Sequence, residues 1–77
     1  MTEVYILEIY DGEIYELIGI YSDNEKAISS MTIHVKSFRD KGFKYALNYI
    51  ITKIMIDEMV YGKAMEQSKH HWDREKL

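Results

Sequence analysis

The fold is decided by the stretch VYILEIYDGEIYELIGIYSDNE, residues 4–25. Two runs rich in Tyr, Ile, Val and Leu stand on either side of Asp11-Gly12, a pair that suits the positive φ angles of a two-residue hairpin turn. Ser22 and Glu25 have the Ser-x-x-Glu spacing of a capping box, in which each side chain bonds an unpaired backbone N–H at a helix start. The stretch therefore predicts a strand, a turn, a second strand and a helix.

A two-residue turn fixes which side chains share a face of the hairpin, because side chains alternate along a strand. The predicted core face carries mostly apolar side chains, with Glu16 as the exception: Tyr5, Leu7, Ile9, Ile14, Ile18 and Ile20. The predicted second face is amphipathic and rich in tyrosine: Val4, Ile6, Glu8, Tyr10, Glu13, Tyr15, Leu17 and Tyr21.

The helix is expected to run from about Asp23 to Lys41 and to cover the core face. Gly42 follows it as a residue that commonly ends helices. The apolar positions recur at steps of three and four, which is the spacing of one helical stripe. The members of this stripe are Ala27, Ile28, Met31, Val35 and Phe38.

The segment 49–58 can be interpreted in two ways. Its content of Ile, Thr and Tyr favours a strand, whereas Leu47, Ile51 and Ile54 also share one side of a helix. A sheet of three strands is stable where a lone hairpin is marginal, so we predict a third strand. The expected fold class is α+β, with an antiparallel three-stranded sheet of order 2-1-3 and one covering helix. This ββαβ domain is expected over residues 1–61. Residues 62–77 are expected to form a polar helical tail of the same domain.

Composition excludes several classes of protein. The 77 residues suffice for one domain, and the absence of cysteine excludes disulfides and cysteine-ligated metals. A net charge of −3 weighs against nucleic acid as a partner, because phosphate binding is driven by clustered Lys and Arg. The start of the chain lacks the features of a signal peptide, and no apolar run has the length of a membrane span. We expect a cytoplasmic protein.

The sequence shows no catalytic constellation, and we expect no enzymatic activity. No serine stands in a nucleophile elbow or a phosphate-binding loop. His70-His71, with Glu66 nearby, is the one cluster resembling metal ligands, but adjacent histidines on the expected helix point about 100° apart. A structural zinc site needs four ligands and a catalytic one usually three. We therefore predict no catalytic residues, no bound metal and no cofactor.

Three segments of the sequence carry a resemblance. They are the Val4-Tyr5-Ile6-Leu7 strand, the strand-to-helix junction from Leu17 to Ala27, and the segment from Tyr49 to Glu58. Together they resemble the small uncharacterised ββαβ proteins of phages and prophages of low-GC bacteria. The resemblance covers roughly residues 3–58 and its motifs are structural, so it implies a viral origin and a third strand but no catalytic residue.

A binding function is the leading hypothesis, because Tyr, Trp and Met are enriched in interface cores. The tyrosine-rich face would bind either a host protein or a second copy of the chain. In the first case the phage-type protein would inhibit the host protein for anti-defence or host takeover. Its own tail, folded back, is the competing cover for this face. A nucleotide- or metabolite-sequestering oligomer is the alternative function. The predicted partner-binding residues are Tyr10, Tyr15, Leu17, Tyr21, Met65 and Trp72.

Overall fold

The protein is a two-layer α+β structure in which one helix lies on one face of an antiparallel sheet. A computed structural model describes residues 2–56 and 62–73, with side chains described over 2–56 and 66–73. The sheet order is β2-β1-β3-β4, and α1 packs over β1, β2 and β3. The elements in chain order are β1 Thr2–Tyr10, β2 Tyr15–Tyr21, α1 Asn24–Asp40, β3 Leu47–Ile56 and β4 Gly62–Trp72.

The order of the first three strands and their antiparallel pairing are as predicted, and the strand expected over 49–58 is confirmed up to residue 56 as part of β3. Residues 57 and 58 lie outside the described residues. The sheet nevertheless has four strands instead of three. The polar helix expected over 62–77 is wrong for Gly62–Trp72, which forms β4 and pairs with β3 along its length. Residues 74–77 lie outside the described residues.

Pairing of the tail with β3 has a physical cause in β3 itself. Ile50 and Ile51 point to opposite faces of the sheet, and both are buried. As an edge strand, β3 would expose a row of backbone N–H and C=O groups beside these apolar side chains. A fourth strand satisfies that edge, and this tertiary gain outweighs the weak helical preference of the tail.

The hairpin register differs from the predicted one in two places. Its loop has four residues, in which Asp11 Oδ1 accepts from the Ile14 backbone N–H at 3.2 Å and Gly12 has a φ of 104°. Ile14 is consequently in the loop and 65% exposed, not in the core. Further along β2, Ile18 is an extra residue between the pairs Leu7–Gly19 and Glu8–Leu17, which makes a β-bulge.

The bulge reverses which face the end of β2 presents. Tyr21 lies opposite Tyr5 and packs against the core on the helix side, whereas Ile20 lies opposite Ile6 on the other face. Both assignments are therefore opposite to the predicted ones. Alternation of side chains holds only while the ladder is regular, and an inserted residue shifts everything beyond it to the other face.

Both edge strands carry such a bulge, while the two inner strands pair without interruption. The second bulge lies in β4, where the register passes from Lys53–Glu66 to Ile54–Ala64 and leaves residue 65 unpaired. Strands β1 and β3 pair continuously from Thr2–Ile56 to Tyr10–Asn48. Bulges on edge strands hinder the addition of strands from other chains.

The helix ends where the sequence indicates, through a Schellman motif. The backbone N–H of Phe43 donates to the Phe38 carbonyl, and that of Gly42, at a φ of 91°, donates to the Arg39 carbonyl. The rings of Phe38 and Phe43 contact each other with centroids 5.6 Å apart, as is usual for this motif. The predicted stripe is confirmed for Ala27, Met31 and Val35, which are buried, and for Phe38, which is partly buried against them. Ile28 is 36% exposed.

The helix begins one residue later than the capping box implies. Asp23 is the N-cap, and its Oδ1 accepts from the Lys26 backbone N–H at 2.8 Å. Ser22 instead accepts a side-chain hydrogen bond from Lys26 Nζ.

We expect Asp23→Ala to lower the free energy of unfolding by about 0.5–2 kcal/mol, the usual effect of losing an N-cap. Ser22→Ala is the matched control, because it removes a neighbouring oxygen that bonds no helical N–H, and it should change stability by less. Urea unfolding of both variants measures this. A larger loss for Ser22→Ala would move the cap back to Ser22.

Candidate protein interface

The sheet face opposite α1, here called the open face, is covered by no other described element. Its members follow from the strand register, because side chains directly opposite each other in antiparallel strands share a face. In β1 and β2 they are Val4, Ile6, Glu8, Tyr10, Tyr15, Leu17 and Ile20. In β3 and β4 they are Asn48, Ile50, Thr52, Ile54, Gln67, Lys69 and His71.

The β2 side of the open face exposes large apolar side chains. Tyr15, Leu17 and Ile20 are 54, 57 and 58% exposed, and the Tyr15 ring stacks on that of Tyr10 with centroids 4.6 Å apart. Ile20 lies opposite half-buried Ile6 and Tyr15 lies opposite Tyr10, and Leu17 stands between Tyr15 and Ile20 along β2. Monomeric proteins leave single apolar side chains exposed, but contiguous patches mark contact sites.

One row of the open face crosses all four strands and carries two opposite charges. It consists of Leu17, Glu8, Ile50 and Lys69, each opposite the next. Ile50, between the two charged side chains, is 5% exposed. Among the residues that the structure describes, neither Glu8 nor Lys69 forms an ion pair or a side-chain hydrogen bond.

The β4 side of the open face is polar and internally bonded. Gln67 Nε2 donates to Thr52 Oγ1 at 3.1 Å, and His71 Nδ1 lies 2.5 Å from Asn48 Oδ1. His71 Nε2 also lies 3.3 Å from Asp73. The face therefore grades from apolar at β2 to polar at β4.

Three of the predicted partner-binding residues, Tyr10, Tyr15 and Leu17, lie on the open face as expected. The predicted placement of Tyr21 on that face is wrong, since it packs against the core on the helix side. Trp72, predicted as a contact residue of a helical tail, lies on β4 and packs against the same core. Tyr21 Oη is hydrogen-bonded to Ser30 Oγ. The side chain of Met65 lies outside the described residues.

Ile20 and Ile50 belong to the open face and were not among the predicted partner-binding residues. The bulge that exposes Ile20 leaves no mark in the local sequence beyond Gly19, which lies beside it. A side chain at 19 would collide with the Tyr21 ring, because a Cβ there would stand 2.3 Å from Tyr21 Oη. Gly19 stands within a strand, two residues before Tyr21. A glycine in this position was the available sequence signal of a close contact.

The histidine pair of the tail is split by β4. His70 and His71 follow each other on a strand and so point to opposite faces of the sheet. His70 Nε2 lies 3.0 Å from Ser68 Oγ on the helix side. Within the described residues there is no group of three or more His, Asp or Glu placed to hold a metal ion.

A titratable pair lies in the core on the helix side. Tyr49 is 1% exposed, and its Oη is 2.7 Å from Nδ1 of His34. Burial lowers the pKa of His34, while the Glu16 carboxylate raises it and Lys41 lowers it further. Burial raises the pKa of Tyr49 to about 12, against the opposing effect of Arg39. Both shifts favour the neutral forms, so this pair is suited to holding α1 on β3.

A cleft of about 310 Å³ lies beside the start of α1. Its lining is mostly polar and includes Lys53, Glu66 and Ser68, with Tyr5 and Asn24. Lys53 is held by Glu3 at 3.7 Å. A cleft of this size and polarity can take a small molecule, and it lies on the helix side, away from the open face.

No family model, curated protein or solved structure matches the chain. Among the described residues, no helix is both long and apolar enough to cross a membrane.

Proposed function

We propose that this protein acts by binding another protein through its open face. The observation that carries the proposal is the exposure of three large apolar side chains, Tyr15, Leu17 and Ile20, on a face that no described element covers. The second support is the state of the edges: both edge strands have a bulge. Because these edges hinder strand addition, the face is the better contact surface.

The proposed role is inhibition of a protein of the host cell by a phage- or prophage-encoded cytoplasmic protein. The supports are the small size, the lack of a catalytic constellation in the sequence, and the resemblance of residues 3–58 to small phage proteins. A binding protein of this kind needs a rigid surface with aromatic anchors instead of reactive groups. The stacked Tyr10 and Tyr15 supply such anchors.

We expect Leu17→Glu to abolish binding of the host protein while the monomer stays folded. Leu17 is more than half exposed, so its loss costs little folding energy, but a carboxylate at an interface centre must be desolvated without a partner. The measurement is affinity capture from bacterial host lysate with mass spectrometry, supported by a circular dichroism melt of each variant.

Ile33→Glu is the matched control, because Ile33 is also exposed, at 69% against 57% for Leu17, but lies on the outer surface of α1. It should retain every protein that the wild type captures. No specific host protein on repeated capture contradicts the proposal, and equal loss with both variants moves the contact away from the open face.

The alternative function, sequestration of a nucleotide or metabolite, has one supporting observation, the cleft beside α1. Its lysine and serine could bind an anionic or polar small molecule, although Glu66 opposes a highly charged phosphate. Thermal shift with a panel of nucleotides discriminates between the two functions. A nucleotide that raises the melting temperature of the wild type but not that of Lys53→Ala favours sequestration.

A further inference from the structure

We infer that a second copy of this chain binds the open face, so that the protein associates as a face-to-face, two-fold symmetric dimer. The inference rests on the proposed function in one respect, that the open face is the contact surface. It goes beyond it by naming the occupant. A host protein and a second copy would use the same surface, so the two associations exclude each other.

The charges of the face are complementary to themselves. Glu8 is half-buried between Leu17 and Ile50, with no partner among the described residues, and a cover that buries it must supply a cation or hydrogen-bond donors. Lys69 lies in the same row, two strands away and equally unpaired. In a two-fold interface, any contact from Glu8 to the partner's Lys69 occurs twice.

The strand order brings these charges together across the interface. With a two-fold axis parallel to the strands and between β1 and β3, β1 of one copy lies over β3 of the other, and β2 lies over β4. Glu8 then lies one strand, about 5 Å, to the side of the strand that carries the other copy's Lys69, on a sheet about 10 Å away, a separation that the glutamate and lysine side chains span together. In the same arrangement Val4 faces Ile54 and Ile6 faces Thr52, while Leu17 lies over the other copy's Lys69, whose methylene groups can cover it.

The area of the face is sufficient. The sheet is four strands wide, and its strands have seven to eleven residues. At the usual strand spacing and rise this is a face of about 20 Å by 30 Å, which is of the order of the roughly 800 Å² per partner that a standard stable interface buries. Aligned packing of two sheets about 10 Å apart is a common architecture.

Sedimentation equilibrium of the purified full chain tests the inference. The wild type should be a dimer at micromolar concentration, and Glu8→Lys and Lys69→Glu should each weaken dimerisation by about tenfold or more, because each places like charges together. The double variant Glu8→Lys/Lys69→Glu should regain affinity to within about threefold of the wild type, since it restores both pairs. Glu13→Lys and Lys36→Glu, the same charge changes at exposed sites off the face, should leave it unchanged.

The outcomes separate this inference from the proposed function. A monomeric wild type up to millimolar concentration overturns the dimer, and host-protein capture that depends on Leu17 would then still support the proposed function. A dimer whose affinity neither Glu8→Lys nor Lys69→Glu changes also overturns the inference. If amide hydrogen exchange of that dimer shows new protection along β2 or β4, its contact lies at an edge of the sheet. A dimer that responds to the swaps, with no host protein captured, supports the inference alone.

Discussion

Ile51→Pro is expected to unfold the protein. β3 has a strand on each side, so the backbone N–H of residue 51 faces a neighbouring strand whichever way it points. Proline removes that donor and leaves a buried carbonyl without its partner. It also removes an isoleucine side chain that is 2% exposed and packs against Leu7 and Val35 in the core cluster. Together these losses amount to about 3 kcal/mol or more, a large part of the stability of a domain this small.

The measurement is far-ultraviolet circular dichroism with urea unfolding. Ile51→Val is the matched control, because it keeps the donor and deletes one methylene, which should cost about 0.5–1.5 kcal/mol. A cooperative transition for the proline variant with the wild-type midpoint would show that β3 is not an inner strand, and that the pairing with β4 does not form.

Alkaline pH is expected to destabilise the protein through Tyr49. Burial raises its pKa to about 12 in the folded state, whereas an unfolded tyrosine titrates near 10. Between these values the unfolded chain loses the proton first, so the free energy of unfolding falls as pH rises from 10 to 12. A difference of about two pKa units corresponds to roughly 2–3 kcal/mol, which is fully present below pH 10 and lost near pH 12.

The control for this prediction is Tyr49→Phe, which keeps the ring and removes the titrating hydroxyl. Any other effect of alkaline pH on stability is common to both proteins. The difference between the two urea-unfolding series, measured from pH 8 to 12, therefore isolates Tyr49. At neutral pH the variant loses the bond to His34 and should be less stable by about 1 kcal/mol. Parallel pH profiles for the two proteins would mean that Tyr49 is not buried.

The local features of the fold could be predicted from the sequence because each depends on neighbours in the chain. The N-terminal hairpin, the Gly42 helix end and the apolar stripe of α1 are of this kind. The β4 strand could not be predicted, because its charged and polar residues show no apolar alternation. What makes it a strand is the unsatisfied edge of β3, a long-range requirement that the tail residues do not encode themselves.

For the same reason, the sequence predicted only the part of the open face that precedes the bulge in β2. Tyr10, Tyr15 and Leu17 lie before the bulge, where simple alternation from the turn places them on the open face. Ile20 and Tyr21 lie after it, and their predicted faces are reversed. Glu8, Ile50 and Lys69 can be placed in one row only when the complete strand order is known. Residues 62–72 were predicted as helix instead of strand, so this row could not be predicted.

The extra residue at Ile18 makes the chemistry of the open face depend on the length of β2 as much as on its composition. In a β2 shortened by that one residue, with the rest of the ladder regular, the same side chains beyond it would exchange places. Ile20 would then turn toward α1, and the Tyr21 hydroxyl would replace an apolar side chain on the outer surface. A one-residue deletion would in this way convert an apolar contact face into a more polar one with no amino acid substituted. Length variants of this strand therefore report on binding specificity as directly as point mutations do.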